Sequence, residues 1–404
     1  MADSLIQIDD LTPAGELGHP LLIAAIRHEI VASEGQITFA RFMELALYHP
    51  AHGYYLAPER RPGRGGDFIT APEIHPCFGI TLARQIAECW ERLGQPDTFT
   101  IREYGAGVGG LAYDIIAGLS SFAPEVVASL TYQLIEPNEH RRREALTAMT
   151  EAGLGAIVTV EAIPAVDDLA PIVGVALANE VADALPVHRL VWRDGRFRER
   201  YVIWQDAGFG DEEGDLSPDA TANDPDRMVH KHGITLNDGD AIEISPAAAR
   251  WFAGVGMGVD RGYTLVIDYG YEARELYRSH RLAGTVRGYR GHTVTDDPYR
   301  NVGRQDLTAH VDFSALRRAG AGVGLEFAGF TNHGTFLSNL GLGDFLVALQ
   351  ADPVTSAEEY FATRAAIFRL IDPGGIGRFG VLAMARNAPT TPPLRGFAAG
   401  QSRY

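Results

Sequence analysis

From Phe99 onward the chain alternates short apolar runs with helical stretches, and this rhythm restricts the fold more than any other feature. The runs are Phe99 to Tyr104, Leu130 to Ile135, Ile157 to Val160, Ile172 to Leu177 and Tyr263 to Ile267. Repeated strand, helix, strand predicts an α/β fold with a mostly parallel sheet, because parallel neighbours need a long crossover and that crossover is usually a helix. Such sheets take ligands at the carboxyl ends of their strands. The residues following each apolar run are therefore where chemistry is expected.

The first run is followed by Gly105-Ala106-Gly107-Val108-Gly109-Gly110 and then by the helical run Leu111 to Leu119. Glycines at Gly105, Gly107 and Gly109, between a strand and a helix, let the backbone approach a ligand closely. The loop also satisfies G-x-G-x-x-G, so NAD is the competing ligand. Two acids shift the expectation to S-adenosylmethionine. Glu103 precedes the first glycine by two, where a dinucleotide strand is usually apolar. Glu136 closes the next strand, where an acid can accept from both ribose hydroxyls of an adenosine. The plain alternative for Glu136 is an exposed acid at a strand end. The fourth run leads into Asn179-Glu180-Val181-Ala182-Asp183 and the fifth into Asp268-Tyr269-Gly270, both polar at the ligand edge. Asn179 and Asp183 equally suit a turn or a helix cap.

Ahead of this pattern, Leu21 to Val31, Phe39 to Leu47 and a stretch from Pro72 to Leu93 read as helices around a loop rich in Gly, Pro and Arg. Val187 to Trp192, Asp194-Gly195 and Phe197 to Trp204 form a predicted β-hairpin, since a two-residue Asp-Gly turn matches strand twist. Between Asp206 and Asp226 there are eight acidic residues and no basic one. That segment is expected to be a solvated loop, the functional alternative being an acidic collar for a basic peptide. At 404 residues the chain exceeds one ordinary core. The expected division is a helical region over 1–97 contributing a pocket loop, a Rossmann-like domain over 98–386 with insertions at 206–226 and 270–312, and a disordered tail over 387–404.

Composition excludes several classes. Lys plus Arg is 35 against 52 for Asp plus Glu, a formal charge of −17, which disfavours a broad grip on nucleic acid. Cys77 and Cys89 are too few for a disulfide framework or a Cys-based zinc site, so no metal is expected. No apolar run approaches the roughly 20 residues that span a bilayer. The first ten residues fit neither a secretory signal nor a transit peptide, giving a cytoplasmic expectation.

Several segments occur together in order: Gly53-Tyr54-Tyr55; Gly66-Asp67-Phe68-Ile69-Thr70-Ala71-Pro72-Glu73-Ile74; Glu103-x-Gly-x-Gly; Asn179-Glu180 with Asp183-Ala184-Leu185-Pro186-Val187-His188; Asp268-Tyr269-Gly270; Gly284-Thr285-Val286-Arg287-Gly288-Tyr289-Arg290-Gly291-His292; and Asp306-Leu307-Thr308-Ala309-His310-Val311-Asp312-Phe313. Over roughly residues 20 to 386 the chain resembles the MidA/NDUFAF7 family of S-adenosylmethionine-dependent methyltransferases. The resemblance implies a class I methyltransferase fold and, from mitochondrial members, arginine methylation in the maturation of respiratory complex I. Val181-Ala182 stand where the family carries an aromatic. With S-adenosylmethionine as cofactor, the expected binding set is Glu103, Gly105, Gly107, Gly109, Glu136, Asp67, Thr70 and Asn179. A guanidinium acceptor needs a carboxylate to orient it and manage its proton, because its pKa exceeds about 12. Glu180 and Asp268 are the catalytic candidates, with Asp183 and Asp67 in support. Arg287, Arg290 and His292 are candidates for holding a substrate carboxylate; the alternative is internal pairing with this acidic chain's own carboxylates. The expected partner is a protein substrate such as a complex I subunit. A small-molecule acceptor, or a non-catalytic assembly role, is the alternative.

Overall fold

The computed structural model describes residues 17–57, 66–67, 69–162, 170–278 and 284–398. They form two compact units, each assembled from separate stretches of chain. One contains 69–183, 248–273 and the sequence from 311 onward; the other contains the described part of 1–68 with 184–247 and 274–310. The first break falls at 68/69 rather than 97/98. The helical stretch from Ala71 to Arg92 packs into the same core as the central sheet, through Phe78, Leu82 and Ile86.

The first unit is organised by a seven-stranded sheet. In chain order its strands are β1 (Phe99–Tyr104), β2 (Leu130–Ile135), β3 (Val158–Glu161), β4 (Ile172–Asn179), β5 (Val259–Asp268), β6 (Glu326–Asn332) and β7 (Gly380–Arg386). Across the sheet they run β3-β2-β1-β4-β5-β7-β6. The pairs from β3 to β5 are parallel, and β7 is antiparallel to both its neighbours. The order reverses between β1 and β4, so the ligand edge lies where both strands end, the switch point of an open α/β sheet. All six residues of β1 are buried, as expected of a central strand covered on both faces.

The helix expected from Pro72 to Leu93 is two helices, Ala71–Ile74 and Cys77–Arg92. Pro76 ends the first, holding His75 extended at φ −168° and ψ 144°. The tail is corrected as well. Residues 387–398 are placed by hydrogen bonds from Arg92 to the carbonyls of Pro392 (2.6 Å) and Pro393 (2.8 Å) and by Phe397 against Phe336. Residues 399–404 lie outside the described set, as do 58–65 of the expected pocket loop.

The second unit packs the helices Pro20–Ala32 and Phe39–Tyr48 with a sheet containing His188–Arg193 and Arg196–Gln205. Leu22, Ile26, Phe42 and Val202 are among its core residues. The hairpin turn has φ of +49° at Asp194 and +79° at Gly195, the type I′ signature. The acidic segment expected as a loop contains a strand, Gly208–Gly214, antiparallel to Arg196–Gln205, followed by short helices. Cross-strand pairing overrode the charge run: Arg189 holds Asp211 at 2.8 Å and Arg193 holds Glu213 at 2.9 Å. A three-stranded sheet of Thr293–Thr295, Arg287–Arg290 and Asp306–Thr308 completes the unit. Among the described residues no helix is long and apolar enough to cross a membrane.

Candidate functional site

The glycine loop leaves β1 at Tyr104 and enters the helix Gly110–Phe122. Gly105, Gly107 and Gly109 have φ of +68°, +57° and +84°, left-handed angles that glycine adopts without a Cβ penalty. A Cβ on Gly107 would meet nothing within 4 Å, whereas one on Gly105 would fall 2.7 Å from Val181 Cγ2. Val181 thus packs onto the cofactor loop, which accounts for a small residue there.

Glu136 follows β2 and is 3% exposed. Its Oε2 accepts the Gly107 N–H at 2.9 Å and its Oε1 the Asn138 N–H at 2.8 Å, so it reaches the loop as well as ending the strand. It is not the exposed acid of the plain alternative. Burial raises its pKa, opposed by the Arg141 charge and by these two N–H groups. Glu103 lies deeper, accepting from the Tyr132 hydroxyl at 2.7 Å, and burial pushes its pKa up to about 8. Tyr132 carries no signal in the sequence because its partner Glu103 lies on the neighbouring strand.

At the end of β4, Asn179 gives its Nδ2 to Glu180 Oε1 at 3.0 Å, which leaves Oδ1 as a buried acceptor without a partner among the described residues. Glu180 is half-buried with φ +54°, and its Oε1 also takes the Ala71 N–H at 2.9 Å. Burial raises its pKa to about 7. Residues in sparsely populated backbone regions cluster at active sites, and this one stands at the ligand edge of the sheet.

Asp268 departs from the catalytic expectation. It is fully buried: Oδ2 accepts from the N–H of Val181 (3.1 Å), Ala182 (2.7 Å) and Asp183 (3.3 Å), and Oδ1 from that of Tyr269 (2.7 Å). With four donors and no exposure it positions the turn after Glu180 and has no face for an acceptor. Asp183 lies on that turn, in the 3-10 segment Ala182–Ala184. Thr70 is engaged locally, its N–H and hydroxyl both donating to Glu73 Oε2 at 3.0 and 3.1 Å in a capping box.

The remaining candidates belong to the second unit. Asp67 accepts from the Tyr54 hydroxyl at 2.8 Å and the Gly291 N–H at 2.7 Å, and its carbonyl takes the His292 N–H at 3.0 Å. It therefore joins the Arg290 to His292 segment, an association across 224 residues that no local pattern announces. Arg287 pairs with Asp296 at 3.0 Å and Arg290 donates to Asn301, while His292 is exposed at φ +61°.

The β1–β4 edge thus brings together an amide oxygen with no hydrogen-bond partner among the described residues, Asn179 Oδ1, a buried carboxylate, Glu136, and a loop of three glycines in left-handed conformation. Residues 81–331 match the model of a family of S-adenosyl-L-methionine-dependent methyltransferases. A human relative, protein arginine methyltransferase NDUFAF7, mitochondrial, is 30% identical over 331 residues, 77% of this chain and 71% of its own length. The chain belongs to the MidA/NDUFAF7 family. A Drosophila melanogaster member, the mitochondrial protein arginine methyltransferase NDUFAF7 homolog, is 27% identical and aligns over 91% of this chain and 86% of its own. A crystal structure from Burkholderia thailandensis, bound to S-adenosyl-homocysteine, superimposes with a TM-score of 0.84 at 34% identity, covering 94% of this chain and 95% of that one. This MidA/NDUFAF7 family member is therefore a methyltransferase that uses S-adenosylmethionine, on the α/β fold expected from its strand rhythm.

Proposed function

We propose that the methyl acceptor is an arginine side chain of a protein partner, and that the partner is a subunit of respiratory complex I. The observation that carries this reading is Glu180: a half-buried carboxylate with a strained backbone, at the carboxyl end of β4, beside Asn179 Oδ1, which has no hydrogen-bond partner among the described residues. Relatives named as protein arginine methyltransferases support the choice of acceptor. When bound, S-adenosylmethionine supplies an electrophilic methyl group on its sulfonium.

Asn179 Oδ1 accepts from the cofactor's ammonium, Glu136 from its ribose, and the Gly105 to Gly109 loop accommodates its close approach. Glu180 accepts an N–H of the guanidinium, sets the orientation of the nitrogen that is methylated, and takes up the proton displaced. The Asp268 carboxylate keeps the turn beyond Glu180 in place. Orientation is the main contribution, because displacement at a sulfonium methyl needs a near-attack geometry above all.

The test is incubation with labelled S-adenosylmethionine and a lysate from a strain deleted for this gene, followed by separation and residue analysis. Label on arginine in one protein band is the expected result. Label confined to small molecules overturns the arginine reading in favour of a small-molecule acceptor, and absence of label alongside a co-purifying subunit favours an assembly factor.

A further inference from the structure

Beyond β5 the residue after Asp268 is Tyr269, and its surroundings contain a feature that cofactor binding does not require. The Tyr269 N–H is held by Asp268 Oδ1, the same carboxyl group whose other oxygen holds the N–H groups of Val181, Ala182 and Asp183. The root of Tyr269 and the turn after Glu180 are thus fixed by one buried group. Phe379 lies against the Tyr269 ring with centroids 5.3 Å apart and an interplanar angle of 56°, and the Phe379 carbonyl takes the His333 N–H at 2.8 Å. Phe379 precedes β7, whose first residue Gly380 pairs with Asp268 in register. Phe379 is thus itself tied to the ligand edge of the sheet.

On this ring lies a guanidinium from the chain itself. Arg378 Cζ is 5.0 Å from the ring centroid, and its Nη2 donates to the Tyr269 hydroxyl. Arg378 is exposed. Such a stack at an exposed site is weak enough to exchange, and an aromatic face orients a planar cation with little loss of side-chain freedom.

We infer that Tyr269 is the platform on which the acceptor guanidinium lies, and that Arg378 covers it until an acceptor displaces it. This deepens the arginine reading above and rests on it. Tyr269 is then a specificity-determining residue: it favours a planar guanidinium over the compact ammonium of lysine.

The full chain saturated with S-adenosylhomocysteine is titrated with N-acetyl-arginine-N-methylamide and, separately, with the lysine analogue, by ligand-observed NMR. Arg378→Ala is expected to tighten the arginine probe about two- to fivefold by removing the internal competitor. Tyr269→Leu weakens it about tenfold, Tyr269→Phe stays within about threefold of wild type because the ring is retained, and S-adenosylhomocysteine affinity is unchanged in all three. Unchanged or weaker probe binding in Arg378→Ala, or Tyr269→Leu indistinguishable from wild type, overturns the inference, as does equal binding of the two probes. Label on arginine in the lysate assay with no effect of these variants rejects the platform and leaves the proposed function standing. The expected variant pattern with label only in small molecules rejects the proposed function and overturns the platform with it, since no arginine acceptor remains to lie on Tyr269.

Discussion

Gly107 donates its backbone N–H to Glu136 Oε2 at 2.9 Å, joining the glycine loop to the end of β2 through one side chain. Glu136→Gln replaces one acceptor oxygen with a donor, so either Gly107 or Asn138 faces an N–H it cannot bond. Calorimetry with S-adenosylhomocysteine should show affinity reduced about tenfold or more, a loss on the scale of a hydrogen bond to a charged group. Turnover at saturating cofactor should change by less than about threefold. A variant with wild-type affinity and depressed turnover would place Glu136 on the acceptor side.

Gly107→Val tests the loop without threatening the core. Its Cβ would have open space, so packing survives, but φ +57° is a strained angle for a β-branched residue and the added methyls occupy the space a ligand needs. Circular dichroism should be native-like, with binding of S-adenosylhomocysteine lost. Normal binding would make the loop purely structural.

Glu180 should act on rate rather than on cofactor affinity. Glu180→Gln is expected to lower turnover about a hundredfold, the lower end of acid-base effects, while cofactor affinity moves less than about threefold. Burial raises the Glu180 pKa to about 7, and the ionised form is the one that accepts a proton. The wild-type kcat/KM for the acceptor should therefore rise with pH around a midpoint near 7, and the variant should lose that rise. Retention of the same midpoint in Glu180→Gln would assign it to another group.

Glu103 predicts a stability effect. Its carboxyl titrates near 8 in the folded chain against 4.5 as an ordinary glutamate, so the folded state holds the proton more tightly. That contribution is fully present below about pH 4.5 and is lost as pH rises through about 8. Glu103→Gln keeps an acceptor for Tyr132 and removes the titration. The melting temperature of the variant relative to wild type should increase by about 2–5 °C between pH 5 and pH 8.5. A constant difference across that range would show that Glu103 is ionised throughout.

The strands legible in the sequence are the parallel ones, β1 to β5, whose buried positions carry enough apolar residues to stand out, such as Phe99 and Ile101 in β1 and Val175 and Leu177 in β4. Burial on both faces did not need an apolar residue at every position: β1 is buried at all six and still contains Thr100, Arg102 and Glu103. β6 escaped notice as an edge strand with exposed Glu326 and Phe327 and an irregular register before Gly329. β7, with Leu382, Ala383, Met384 and Ala385, is written in residues that favour helices, and only its place between β5 and β6 makes it a strand. The glycine loop and Glu136 were legible because strand ends lie next to them in sequence. The depth of Asp268 was not, since its N–H donors Val181, Ala182 and Asp183 come from a turn more than eighty residues away. Arg287 and Arg290 looked like a ligand-binding cluster, yet Arg287 pairs with Asp296 and Arg290 donates to Asn301, both just downstream.

The insertion of β7 between β5 and β6 leaves an edge of the sheet open while the chain is being made. A ribosome releases β5 long before it reaches Gly380, and until then the apolar Leu265, Val266 and Ile267 have no neighbour on that edge. An unpaired hydrophobic edge invites pairing with another nascent chain, and closing it requires a long-range contact that forms slowly. Truncations that stop short of Arg386 should consequently accumulate in inclusion bodies even though the glycine loop, Glu136 and Glu180 are all present in them.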